Sequence, residues 1–398
     1  MRKQIAIVAG LVSVTVLIVW LAETRNAFFD SRVYYGAIQY WFRDGGMVYD
    51  WLRPGTPYGF TYPPFAGLAM SPMAWLPFPL VLIIATAATV VTTGLIVWWL
   101  IAPTVRRRGW TPWFAFAVGL CLAVAFEPVR ETITFGQVNT LLMALVAADL
   151  LFGLSQGRRW AGVGIGLATA IKLTPGVFIL YLLVTRRWRA AFTAMGTATA
   201  ATLLAGALFP DESREFWTAA LWDTDRVGVL SYLSNQSLRG FVARLPVEPV
   251  ATYLWILLVL IVVALWAWRV RRSPDDVVLG LALTGVLGTL ISPVSWVHHC
   301  VWLLPALIRC VDEGSRRVRY LGAAAYVVLT SHLLWVWEPR PRPPLELIGS
   351  NLYVYVSVAL LISTPAVATP KVVAQSAIRP ADAALGYHFR CRGGRARP

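Results

Sequence analysis

Apolar residues in this chain do not alternate with polar ones. They run in long blocks separated by polar or proline-containing breaks, at 4–22, 79–102, 110–126, 139–153, 161–171, 174–185, 190–208, 251–268, 278–293, 297–309, 320–337 and 350–369. A helix that is apolar all round is buried on every side, and in lipid only helices and closed barrels satisfy their own backbone. A bilayer span needs about 20 apolar residues, fewer where helices pair or the bilayer thins. The pattern predicts an all-α, polytopic integral membrane protein with about 12 transmembrane helices. The stretch 64–78 is apolar but broken by Pro72 and Pro77, and reads as a short span or an interfacial helix. Residues 161–185 are flanked by Arg158/Arg159 and Arg186/Arg187. That length is too short for two full spans of about 20 residues each, so it predicts a hairpin that turns back inside the membrane with Lys172 at its tip.

Two breaks are long, 23–63 and 210–250, whereas connections in helical bundles usually run about 2–8 residues and long ones tend to be functional. Smaller breaks fall at 127–138, 292–297 and 338–349. Arg2 and Lys3 precede the first block, as in a signal peptide, but Leu21-Ala22-Glu23-Thr24 is a poor cleavage site, and 4–22 is read as an anchor.

Composition strengthens this reading. Hydrophobic residues make up 58% of the 398 and charged residues 14%, with 19 Trp and a mean hydropathy of +0.63. Soluble domains carry about 25% charged residues. The net charge of +15 would suit a nucleic-acid binder if it formed one patch. It does not. With the N-terminus inside, Arg106–Arg108, Arg186/Arg187/Arg189, Arg269/Arg271/Arg272, Arg316/Arg317/Arg319 and a tail from Lys371 fall on the cytoplasmic side, while most carboxylates fall outside. This is the positive-inside rule. The charge is topogenic, and no nucleic-acid partner is expected. The chain reads as one membrane domain, 1–369, in the plasma membrane, followed by a basic cytoplasmic tail, 370–398. The four cysteines show no CxxC or Cys/His spacing, so neither a disulfide framework nor a metal site is expected.

Candidate chemistry gathers toward the outer side. Asp30, in Phe28-Phe29-Asp30-Ser31, follows the first span closely. A carboxylate among aromatics is partly desolvated, which suits a general base, although Asp also caps helices. In Gly59-Phe60-Thr61-Tyr62-Pro63-Pro64-Phe65, Tyr62 could stack on a sugar or belong to the interfacial aromatic belt. Arg130, Gln137 and Asn139 enter or border an apolar block, where buried amides need helix neighbours or ligand hydroxyls as partners. An intramembrane lysine such as Lys172 is a functional candidate, suited to a lipid-carrier phosphate; pairing with Asp149 is the plain alternative. Asn235, Gln236 and Arg239 suit sugar hydroxyls or an anionic headgroup, as would any exposed polar loop. Trp296, His298 and His299 lie at an outer membrane edge, where an imidazole could donate to phosphate. His332 and His388 look incidental. No phosphate-binding glycine loop or dinucleotide fingerprint is present, and Asp223-Thr224-Asp225 is a poor metal motif beside Arg226. No cofactor is expected.

The order FDSRVYY, YGFTYPPF, TFGQVNTLL, GIGLATAIKLTPG, SNQSLRG, SPVSWVHH resembles the actinobacterial polyprenol-phosphate-mannose-dependent α-1,2-mannosyltransferases of glycosyltransferase family 87, over about residues 25–300. The first loop is most similar to the branch that extends phosphatidylinositol mannosides. The resemblance implies a GT-C fold with a periplasmic active site and a polyprenyl-phosphate-mannose donor. It further implies a mannosylated glycolipid acceptor, of phosphatidylinositol mannoside or lipomannan type, and inversion to an α-1,2 linkage. Asp30 takes the place of the family's catalytic aspartate, and the His298/His299 pair that of its donor-phosphate ligand. The rival readings are a transporter or lipid flippase, and a non-catalytic subunit of an envelope complex; no internal repeat supports the first.

Overall fold

A computed structural model describes residues 1–223, 228–337 and 345–367, except the side chains of 22–25. The tail 370–398, with His388, lies outside the described residues, as do Asp225, Arg226 and most of the break at 338–349. Met1–Val367 forms one compact unit. Among the described residues there is no strand, only an isolated bridge between Leu52 and Gly59.

The chain opens with α1 (Arg2–Asn26), turns through α2 (Phe29–Phe42) and α3 (Pro64–Met70), and enters the long α4 (Phe78–Arg108). Pro77 and Pro79 suit the start of α4, where no intrahelical N–H is required, and Gly109 stops it at φ 64° just after Arg106, Arg107 and Arg108. Next come α5 (Pro112–Ala125), α6 (Glu127–Phe135), α7 (Asn139–Ala148), α8 (Val163–Ile171), α9 (Val177–Val184) and α10 (Trp188–Leu208). The remainder is α11 (Pro210–Glu215), α12 (Leu238–Ala243), α13 (Ala251–Arg272), α14 (Val277–Ile291), α15 (Leu304–Glu313), α16 (Arg316–Val328), α17 (Leu345–Gly349) and α18 (Leu352–Ser363).

Among the described residues, four helices are long and apolar enough to cross a membrane: Arg2–Leu21, Phe78–Arg108, Trp188–Leu208 and Ala251–Arg272. The pair α5 and α6, bent by 69°, raises this to five at most. The count falls short of the expected twelve because the other apolar blocks break into shorter helices. Asn139–Leu154, Thr174–Val184, Val277–Ile291 and Leu352–Ser363 each have 10–17 residues. At about 1.5 Å per residue these do not reach across roughly 30 Å of hydrocarbon. The stretch 64–78 becomes α3 and a 3₁₀ turn at Ser71–Ala74, too short to span, with Trp75 exposed beyond it.

The largest core centres on α14, where Leu281, Ala282, Leu283, Val286, Leu287 and Leu290 are all fully buried. A second core fixes the long first break. Val33, Ala37, Ile38 and Trp41 of α2 pack with Tyr49, Phe60, Ala66 and Phe216, so this segment is a packed element that can hold a side chain in place. The hairpin of α8 and α9 turns back after only 9 and 8 residues, as the flanking arginines predict. Its first arm lies against α10 at backbone contact distance. A Cβ on Gly162 would come 2.2 Å from Ala190 O, and one on Gly166 2.5 Å from Ala194 O. Small residues are what permit such approach within membranes.

Candidate active site

The segment joining α1 to α2 passes through Ala27 and Phe28, both at positive φ (47° and 52°), a costly conformation for residues with a Cβ. Three contacts hold it against the end of α6. Phe28 N donates to Thr134 O at 2.9 Å, Asn26 Nδ2 to Thr134 Oγ1 at 2.8 Å, and Ser31 Oγ to Gly136 O at 3.1 Å. Gly136 ends α6 at φ 74°, and a Cβ there would lie 1.8 Å from Ser31 Oγ. This junction brings Asp30 to Gln137, across 107 residues of sequence, with Gln137 Nε2 donating to Asp30 Oδ2 at 2.7 Å.

From Asp30 a closed network runs inward. Gln137 Nε2 also donates to Tyr34 OH (2.8 Å), Tyr34 OH to Tyr62 OH (2.9 Å), and Tyr62 OH back to Gln137 Oε1 (2.8 Å). Tyr34 sits one helical turn beyond Asp30, so both point the same way from α2. Lys172 Nζ donates to Tyr62 OH at 3.2 Å and to Asn139 Oδ1 at 3.0 Å, and lies 3.0 Å from His299 Nε2. The ring of His299 is fixed from behind, because the Trp296 amide N–H donates to its Nδ1 at 3.1 Å. Asn139 Nδ2 donates to His298 O at 3.0 Å and so ties the start of α7 to the histidine turn. Asp30, Tyr62, Gln137, Asn139, Lys172 and His299, all anticipated from sequence, thus fall in one constellation.

Burial pushes the Asp30 carboxyl up to about 6, although the Gln137 amide and the positive charges of Lys172 and Arg53 pull against the shift. Asp30 is therefore a stronger base than an ordinary carboxylate and is still ionised at neutral pH.

Other anticipated residues lie elsewhere. Arg130 donates to Ala125 O at 3.0 Å and stands 4.0 Å from the buried Glu127. Asn235 donates to Leu230 O and Pro293 O and accepts from Ser295 N, bracing the histidine segment from behind. Gln236 donates to Leu233 O and Ser350 O and accepts from Tyr353 N. Arg239 packs over Trp255 at 4.9 Å. Trp296 meets Tyr232 edge-on at 6.1 Å and meets His299 of the network through its backbone N–H and carbonyl. His298 is buried between Phe135 and His299, and neither ring nitrogen has a hydrogen-bond partner. Asp149 does not pair with Lys172; it accepts from the Gly162 and Ile165 amides at 2.7 and 2.9 Å and starts α8.

Two residues escaped sequence reading. Tyr34 carried one usable signal, its spacing of four from Asp30. His332, read as incidental, lies 2.6 Å from Glu127, which also accepts from Trp335 and Tyr353 at 2.6 and 2.5 Å. Its partner is 205 residues away, and nothing local announces it.

A narrow crevice opens beside the network, lined by Asn139, Thr174, Phe178, Gly285, Gly288 and His299 among others. Hydroxyls and imidazole crown it and apolar helix faces form its walls, a composition suited to an amphiphile with a polar head.

The sequence profile of glycosyltransferase family 87 matches residues 60–293. The chain belongs to glycosyltransferase family 87. The family 87 match includes Tyr62, Gln137, Asn139 and Lys172, and begins after Asp30 and ends before the histidine pair. Among curated proteins this family 87 chain is 36% identical over 335 residues to a polyprenol-phosphate-mannose-dependent α-(1-2)-phosphatidylinositol mannoside mannosyltransferase of Mycobacterium tuberculosis, covering 79% of the chain and 74% of the relative. It is 35% identical to the protein of the same description from Mycolicibacterium smegmatis, covering 79% and 73%. A phosphatidylinositol pentamannoside mannosyltransferase of M. smegmatis is 32% identical, covering 80% and 79%. No solved structure matches. Family membership makes the protein a glycosyltransferase, and its long apolar helices make it a membrane protein.

Proposed function

We propose that the protein transfers mannose from a polyprenyl-phosphate-mannose to a mannose of a phosphatidylinositol-mannoside-type glycolipid, forming an α-1,2 linkage with inversion at the extracytoplasmic face of the plasma membrane. The relatives' activities supply the donor and acceptor classes. The observation that carries the reading to this chain is the unbroken network from Asp30 to Lys172 and His299, in which a base of raised pKa and a group of proton donors stand together.

In one step the acceptor 2-hydroxyl oxygen attacks C1 of the donor mannose while the bond from C1 to the phosphate oxygen breaks. Asp30 takes the hydroxyl proton. The electron pair leaves with the polyprenyl phosphate, whose added charge is met by donors at Lys172 and His299. The transition state has oxocarbenium character, as in glycoside hydrolysis. The crevice under His299, of about 20 Å³, must open for the phosphate end of the donor and its first prenyl units to enter. Gln137 holds Asp30 in place, and the two tyrosines hold Gln137.

Purified protein in liposomes, given labelled polyprenyl-phosphate-mannose and a phosphatidylinositol mannoside, is expected to yield a glycolipid carrying one more mannose that an α-1,2-specific exomannosidase releases. Label that stays on the prenyl carrier and merely crosses the bilayer would instead identify a flippase.

A further inference from the structure

The side of α2 that bears Arg32, Tyr35 and Gly36 lines a different cavity from the crevice under His299. This open cavity, of about 420 Å³, is lined also by Trp51, Arg53, Pro54 and Phe78. Gly36 allows the Trp51 ring to lie against the helix, since a Cβ there would sit 2.1 Å from the indole. Both arginines are held over aromatic rings, Arg32 over Phe78 at 4.9 Å and Arg53 over Phe29 at 4.1 Å. Arg53 Nη1 is buried and has no hydrogen-bond partner. No carboxylate lines the space. Two oriented guanidinium groups, one with an unanswered buried N–H, beside a flat indole, have the chemistry of a site for an anionic sugar headgroup. The location favours a lipid source over a free anion. Phe78 begins the membrane-capable α4, Tyr35 OH donates to Leu76 O at 2.9 Å, and Trp75 projects from that same turn.

We infer that this cavity is the acceptor subsite, in which Arg32 and Arg53 bind the phosphodiester of the incoming glycolipid and Trp51 supports a ring of its headgroup. The inference rests on the transferase reading and names the place where its acceptor docks. Arg32 and Asp30 leave α2 on opposite sides, but the charge of Arg53 acts on Asp30, so a phosphodiester held by the two arginines leaves the extended mannoside headgroup to pass around the helix to the carboxylate.

The test compares two acceptors with the full-length protein in nanodiscs: a phosphatidylinositol mannoside, and the same mannoside on an alkyl chain without phosphate. At about pH 8, Asp30 is ionised in every variant, so changes in its titration do not enter. Wild type is expected to favour the phospholipid acceptor at least about tenfold in kcat/KM, and Arg32→Gln and Arg53→Gln to erase most of that preference through KM, each by about the tenfold typical of one charge-assisted bond. Arg53→Lys should retain part of it. Equal losses on both acceptors, or a wild type that does not discriminate, would overturn the inference. Should wild type turn over neither acceptor, the transferase reading fails by itself. The subsite then stands or falls on native mass spectrometry of the phosphatidylinositol mannoside complex: bound by wild type and lost in Arg53→Gln sustains it, and equal retention by both refutes it.

Discussion

Asp30 combines a raised pKa with a fixed hydrogen bond, and each property has a measurable consequence. As the proposed base it must be ionised, so the rate should climb with pH through about 6 and then level off. Gln137→Leu removes an influence that lowers this pKa, so the acidic limb should move to higher pH, a shift that a pH–rate profile reads directly. Asp30→Asn should cost about 10²–10⁴-fold in turnover. Because the folded-state value lies above the unfolded one, ionising Asp30 costs stability, a loss that grows as pH rises through about 6. The inactive Asn variant should thus melt no lower than wild type at neutral pH; activity near the wild-type level would remove Asp30 from the chemistry. His299 differs in kind. Its Nδ1 already accepts the Trp296 amide, so the neutral ring carries its proton on Nε2, where it faces Lys172 Nζ at 3.0 Å, and a phosphate oxygen received between the two would accept from both. His299→Gln, which can still offer an N–H, should keep more activity than His299→Ala, and equal loss in both would speak against that donor role.

Among the elements, block boundaries were legible where a helix is long. The blocks 4–22, 190–208 and 251–268 correspond to Arg2–Asn26, Trp188–Leu208 and Ala251–Arg272. Hydropathy has no means of separating a complete span from a half-span, and the histidine segment shows why: 297–309 is a 3₁₀ stretch, Val297–Leu303, followed by α15. Candidate residues could be found by their chemistry, as with Lys172 in an apolar hairpin. Their partners could not, because the links between Asp30 and Gln137 and between Lys172 and His299 cross more than a hundred residues. What makes the site is the meeting of α2 with the end of α6. Gly136→Ala introduces a Cβ at positive φ and 1.8 Å from Ser31 Oγ, so it should displace α2 and its carboxylate. Turnover should fall by at least about tenfold while the protein still inserts and binds donor; Gly136→Ala paired with Ser31→Gly should recover part of the loss, since the second change clears the clash but not the strain.

For the whole molecule, a knot centred on the buried Glu127, outside the network, joins the two halves of the chain. Glu127 on α6 receives His332, Trp335 and Tyr353, and its amide donates to Leu329 O at 3.1 Å. Glu127→Leu would take from the buried Tyr353 hydroxyl this acceptor and should lower the melting temperature in detergent, with a stability loss of about 1–3 kcal/mol. Its effect on the acceptor preference should be nil, which separates global damage from damage at α2. The crevice beside His299 has a wider consequence. Its walls are apolar helix faces from α9 and α14, so with the proposed donor entering there a prenyl-borne substrate need never leave its two-dimensional solvent to be consumed. Velocity is then governed by how crowded the donor is within the leaflet: adding inert phospholipid slows the reaction, whereas diluting the whole suspension with buffer does not.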